Sequence, residues 1–310
     1  MPDEFPSENG ESQLPLQSEP APPLEEPSTL GPSNIDVVRT VRGSEWVPAP
    51  EENPSATADG TDKTGAPWDF LDLVFTLMIV LGSLFLAEAL MAAGLAAFVA
   101  MHVAAGHAGP RVSDLLSEVR FQLPVQFVSY ALTVWFVLLT ARMKYKRSLG
   151  EALQWRTLGP STWAFLPAGV VLALVSQLIP VLFPSNKTFP IEKMIKDPIS
   201  GWSMAFFGVC IAPFVEEMFF RGMIYPVIER RWGLEPAVLV SALLFASIHS
   251  AQLAGALPEL SAIFLVGVAL GYVRGRSGSL VPGFLMHTAY NATLFAAIIA
   301  GTKGFHDFPR

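Results

Sequence analysis

From residue 68 onward, apolar stretches of membrane-crossing length alternate with short gaps marked by polar residues, Gly and Pro. A helix needs about 20 apolar residues to cross ~30 Å of hydrocarbon. The predicted spans run from Leu73 to Ala104, Leu123 to Ala141, Trp163 to Phe183, Trp202 to beyond Tyr225, Pro236 to Ala256, Leu260 to Val273 and Leu280 to Ala300. The sixth is the shortest. Gly109-Pro110, Phe183-Pro184 and the run from Gly275 to Gly278 supply the breaks. The pattern predicts an all-α fold, a polytopic membrane bundle of about seven transmembrane helices.

The first 67 residues do not share this pattern. They hold 13 acids, 3 bases and 12 of the 26 prolines, a net charge of −10. The remainder carries net +3. A segment so polar and Pro-rich cannot bury enough apolar surface to offset the entropy of ordering, so residues 1–67 read as a disordered acidic tail. Its start, Met-Pro-Asp-Glu-Phe, lacks the basic and apolar parts of a secretory signal. The negative charge argues against nucleic acid as a partner. The lone Cys210 excludes a disulfide scaffold and a Cys-rich zinc site.

Lys and Arg in short loops set orientation. Arg142, Lys144, Lys146, Arg147 and Arg156 follow span two, Arg230 and Arg231 follow span four, and Arg274 and Arg276 follow span six. With alternating spans all of these fall on one side, which is then cytosolic together with the N-terminus. The loop from Ser250 to Glu259 has no Lys or Arg, as an outer loop should. The loop from Ser185 to Ser200, with three lysines and several large apolar residues, is expected to lie partly in the interface.

Span four contains Glu216, Glu217 and Arg221. An ionised residue at mid-membrane costs roughly 2.5–3.5 kcal/mol on insertion scales, so three unpaired ones would cost on the order of 8–10 kcal/mol. They must face the interior. Glu217 and Arg221, four apart, can pair on one face, whereas Glu216 points about 100° away. Span five contains Phe245-Ala-Ser-Ile-His249, and span seven has His287 and Asn291 four apart. Pairs of this kind can be interhelical glue. Two acids, an Arg, two His and an Asn on three helices exceed what glue needs. Glu88, in the middle of span one, is expected to be buried against a polar partner or to line a substrate route. Gly267, Gly271 and Gly275 form a Gly-x-x-x-Gly stripe suited to close helix packing.

In order, Glu-Glu-x-x-x-Arg, Phe-x-x-x-His and His-x-x-x-Asn resemble the CAAX-protease and bacteriocin-processing (CPBP) family of intramembrane endopeptidases. Ala212-Pro213, Arg221-Gly222 and Pro282-Gly283 also look like that family. The resemblance covers about residues 205–300. It divides the body into N-terminal transmembrane helices (68–200), a catalytic transmembrane core (201–303) and a short C-terminal tail (304–310). It implies that Glu216 activates the attacking water with His249 as its partner. It further implies that His287 and Asn291 stabilise the oxyanion, and that Glu217 with Arg221 holds the site together. A desolvated carboxylate and N–H groups aimed at a developing oxyanion suit those tasks.

Two chemistries stay open. Glu216 and His249 can act on water with no cofactor, the favoured reading. Alternatively Glu216, His249 and His287 can hold a catalytic zinc, since two His and a carboxylate with an open position suffice. The sequence lacks the His-Glu-x-x-His helix of many zinc proteases. The expected partners are the lipid bilayer and a membrane protein or lipidated peptide substrate, prenylated ones being cut by some members of the family. The expected setting is a bacterial plasma membrane. A non-catalytic scaffold or immunity-type protein on the same fold is the alternative, and a proton-coupled transporter is disfavoured by the lack of an internal repeat.

Overall fold

The computed structural model describes residues 65–185, 187, 195 and 197–307. These form α1 (Phe70–Ala104), α2 (Val119–Met143), α3 (Gly159–Leu182), α4 (Pro198–Trp232), α5 (Leu234–Ile248), α6 (Leu257–Ser277) and α7 (Val281–Gly301). All but α5 are long and apolar enough to cross a membrane, which makes six such helices among the described residues. The expected all-α bundle is present.

Two lengths differ from the expectation. The sixth span, expected to be the shortest, is a helix of 21 residues, and the fifth has only 15. Arg274 and Arg276, expected in a turn, lie in the last turn of α6. Gly278 in the left-handed region at φ 61° ends that helix, as a residue without Cβ does at low cost. The glycine stripe of α6 faces α5. A Cβ at Gly267 would lie 2.9 Å from Ala242 Cα, and one at Gly271 3.3 Å from Val238 Cα. The stripe therefore serves packing within the bundle.

The ends of the helices sort into two faces. At one face Asp69 caps α1, and Lys144, just past α2, bridges Asp69 at 2.7 Å and Asp72 at 2.8 Å. Tyr145 donates to the other oxygen of Asp72. Arg147 reaches the carbonyl of Gly65, and Arg230, near the end of α4, reaches those of Ala66 and Trp68. Ala66, Pro67 and Trp68 are buried there, so this part of the expected tail is tied to the bundle. The rest of the tail lies outside the described residues, as does most of the loop from Ser185 to Ser200. At the opposite face Ser185 donates to Glu259, and Phe305, in the expected C-terminal tail, is buried against Trp202 and Gly201. The basic residues expected to share a side do gather at one face.

Large apolar side chains such as Phe85, Leu90, Trp135 and Val181 point outward, as a lipid-facing surface requires. α1 is the least buried span and α4 the most. Glu88 is exposed, with no hydrogen bond or ion pair among the described residues, which corrects the expectation that it is buried. Its position accounts for this: nineteen residues beyond Asp69 at 1.5 Å each put it ~28 Å along α1, near the far end of a ~30 Å core.

Candidate active site

The site is built on α4, the central helix, which is not uniform. An eight-residue α-helical stretch, Ala212–Phe219, carries both glutamates and is flanked by two π turns, Phe207–Ile211 and Phe220–Ile224. A π turn inserts an extra residue and frees backbone carbonyls from the regular ladder; such turns are frequent at functional sites. Each π turn here has a carbonyl taken up by a side chain from another helix. Asn291 Nδ2 on α7 donates to Gly208 O at 2.7 Å. Arg274 Nε on α6 donates to Arg221 O at 3.0 Å. A second nitrogen of Arg274 donates to Gln154 Oε1.

Glu217 and Arg221 form the pair their spacing predicts, at 3.0 Å, with both side chains 0% exposed. Arg221 also donates to Gly267 O at 3.0 Å and lies 4.6 Å from the centroid of the Phe245 ring. A buried pair is stable only when further hydrogen bonds satisfy its charges, and these contacts do so in part: Arg221 Nε and one Glu217 oxygen have no hydrogen-bond partner among the described residues. Glu217 Oε1 accepts from Arg221 and also lies 3.1 Å from His287 Nδ1. Its Oε2 has no hydrogen-bond partner among the described residues and faces Gly283, where a Cβ would come within 3.0 Å.

Glu216 is placed differently. Its side chain keeps 14% exposure. His287 Nε2 lies 3.6 Å from Oε2, and the Tyr130 hydroxyl lies 3.5 Å from Oε1. The His287 ring is thus set between the two acids, one nitrogen toward each. The 3.1 Å contact with Glu217 is a hydrogen bond, and the 3.6 Å approach to Glu216 is too long for one.

The expected pairing of Glu216 with His249 is not formed: no hydrogen bond or ion pair joins them among the described residues, and His287 occupies that place. His249 sits at the end of α5 with Nδ1 2.8 Å from Phe245 O. A carbonyl only accepts, so Nδ1 carries the proton and Nε2 is left as an acceptor. The Phe245 ring lies next to both imidazoles, with centroids 4.9 Å from His249 and 5.6 Å from His287. Glu216, Glu217, Arg221 and His287 are therefore in direct contact, His249 is one ring away, and Asn291 is one turn from His287 on α7. Among the described residues, no group of three or more His, Cys, Asp and Glu side chains is disposed to hold a metal ion.

Residues 198–293 match the family described as Type II CAAX prenyl endopeptidase Rce1-like. This stretch is similar to a CAAX-protease domain. It covers about a third of the chain, and it includes α4 to α6 and the part of α7 that carries His287 and Asn291. With its apolar helices, the chain is a multi-pass membrane protein with a stretch that matches a CAAX-protease family. Neither the curated proteins nor the solved structures gave a match. Two neighbours of the site do not announce themselves in the sequence. Tyr130 lies outside the matched stretch, and Arg274 reads as a loop residue. Tyr130 carries one signal: it is the one ionisable side chain between Leu123 and Ala141, a span that also holds Gln126, Ser129, Thr133 and Thr140.

Proposed function

We propose that the protein is an intramembrane endopeptidase for membrane-bound or lipid-tethered peptides, with Glu216 as the base that activates water. One observation carries the reading. Adjacent acids on one helix have opposite surroundings: Glu217 is enclosed and ion-paired, while Glu216 keeps an open face. Glu216 takes a proton from water as the oxygen attacks the scissile carbonyl. The carbonyl π electrons move onto oxygen, and the second N–H of Asn291 is the donor for that oxyanion. On collapse the C–N bond breaks and the proton passes from Glu216 to the leaving amine. His287 flanks Glu216 with Nε2, and His249 offers its Nε2 to water or the amine. The matched family supports prenylated peptides as the first substrates to try, and the basic face of the bundle supports a cytosolic N-terminus.

The test uses full-length protein in liposomes with a farnesylated CAAX peptide and an unprenylated transmembrane peptide. Cleavage lost in Glu216→Gln and retained under a strong zinc chelator is the expected result. Loss under the chelator with recovery on adding zinc would replace the base by a metal centre. Peptide binding with no cleavage would favour a scaffold.

A further inference from the structure

The structure assigns Tyr130 as a positioning residue for Glu216, contributed by a helix outside the matched stretch; the assignment rests on Glu216 being the base. Tyr130 is on α2, 86 residues before Glu216 in the chain, and its hydroxyl is 3.5 Å from Oε1. A phenol facing a carboxylate oxygen donates. The contact is long, as catalytic hydrogen bonds often are before substrate arrives.

Two features make the placement specific. The ring is stacked on Phe207, with centroids 5.5 Å apart and planes 24° apart. Phe207 opens the first π turn of α4, so the stack ties α2 to the helix that carries the glutamates. The two oxygens of Glu216 are divided between two helices, Oε1 to Tyr130 and Oε2 to His287 on α7. A carboxylate with one contact can rotate about its last bond. One flanked at both oxygens, by the Tyr130 hydroxyl at 3.5 Å and by His287 Nε2 at 3.6 Å, turns less freely, and a base must keep its plane to meet a water within ~3 Å. The N-terminal helices thereby enter the chemistry rather than only framing it.

Tyr130→Phe removes the hydroxyl and keeps the ring against Phe207, while Tyr130→Leu removes both. The first readout needs no turnover. The infrared carboxyl band that vanishes in Glu216→Gln is expected to shift in Tyr130→Phe; an unchanged band overturns the assignment. The second readout is kinetic, on the farnesylated peptide in liposomes. Tyr130→Phe is expected to lower kcat about tenfold, the effect of losing one hydrogen bond to a charged group, with KM within about twofold and an unchanged unfolding midpoint. Wild-type kcat in Tyr130→Phe with damage confined to Tyr130→Leu means the ring only packs, and overturns it. Cleavage surviving in Glu216→Gln instead sinks the base reading, and the Tyr130 assignment falls with it.

Discussion

Arg274 donates its Nε–H to the main-chain carbonyl of Arg221 at 3.0 Å, so one arginine holds the backbone of another from a neighbouring helix. The Arg221 side chain meanwhile serves Glu217 and Gly267 O. The contact secures the π turn just after the two glutamates. Arg274→Ala leaves the buried Arg221 carbonyl without this donor. It is expected to cost about 1–3 kcal/mol of stability. Thermal unfolding in detergent would measure it, and Arg274→Lys should recover less than half, because an ammonium cannot reproduce the guanidinium fork.

The Glu217–Arg221 pair predicts an asymmetry between single and double substitution. Glu217→Ala strands a buried guanidinium and should destabilise by about 3–5 kcal/mol. Glu217→Met combined with Arg221→Met should recover most of that loss. Denaturant unfolding of the variants in micelles decides it. A double variant as unstable as the single one would count against the pair as the cause.

Gly283 has a more local job. A Cβ there lies 3.0 Å from Glu217 Oε2, whereas a Cβ at Gly82 on α1 meets nothing within 4 Å. Gly283→Ala is expected to push Glu217 off His287 and cut kcat at least tenfold, about 1.4 kcal/mol of barrier. Gly82→Ala should leave activity unchanged. Cleavage assays on the two variants side by side test the contrast.

The clasp between Asp69 and Lys144 predicts a pH window. Burial works against ionisation of Asp69, but hydrogen bonds from Lys144 and from the Asp72 backbone outweigh it and hold the carboxyl below its ordinary value. Burial likewise opposes the Lys144 charge, and Asp69 and Asp72 outweigh it and raise that group. A lowered carboxylate contributes stability that is full above its unfolded value near ~4 and lost as pH falls through the folded one. A raised ammonium contributes stability that is full below ~10.4 and lost as pH rises through the folded value. The unfolding midpoint of Asp69→Asn should therefore trail the wild type by a constant amount at neutral pH. The gap should close below pH ~4. Because both side chains are about half exposed, the gap should also shrink in high salt.

Membrane spans are legible in the sequence because the cost of unsatisfied backbone in lipid imposes long apolar runs. The polar residues of the site are legible because charge within such runs is costly enough to need a reason. Helix ends are harder. Arg274 reads as a loop residue because it is an arginine after an apolar run, and only its bonds to Arg221 O and Gln154 reveal a buried one. The resemblance to the CPBP family implies that His249 partners Glu216. It does not anticipate two π turns, each of which rotates the next stretch of helix, or an α5 that stops at Ile248. Tyr130 is hidden for another reason: contacts between residues 86 apart leave no trace in local spacing.

The brevity of α5 bears on the lipid as well as on the fold. Fifteen residues rise only ~22 Å, about 8 Å short of the usual hydrocarbon thickness. Beyond Ile248 the chain continues as turns, with the Ala254 carbonyl taken by Lys187. Turn backbone left without partners is costly in hydrocarbon, so a locally thinned bilayer beside α5 suits this end of the helix. Mismatch costs fractions of a kcal/mol per Å, which over several Å favours thin membranes. Bilayer thickness is thus expected to bear on this protein through the shortest of these seven helices, the one that also delivers His249.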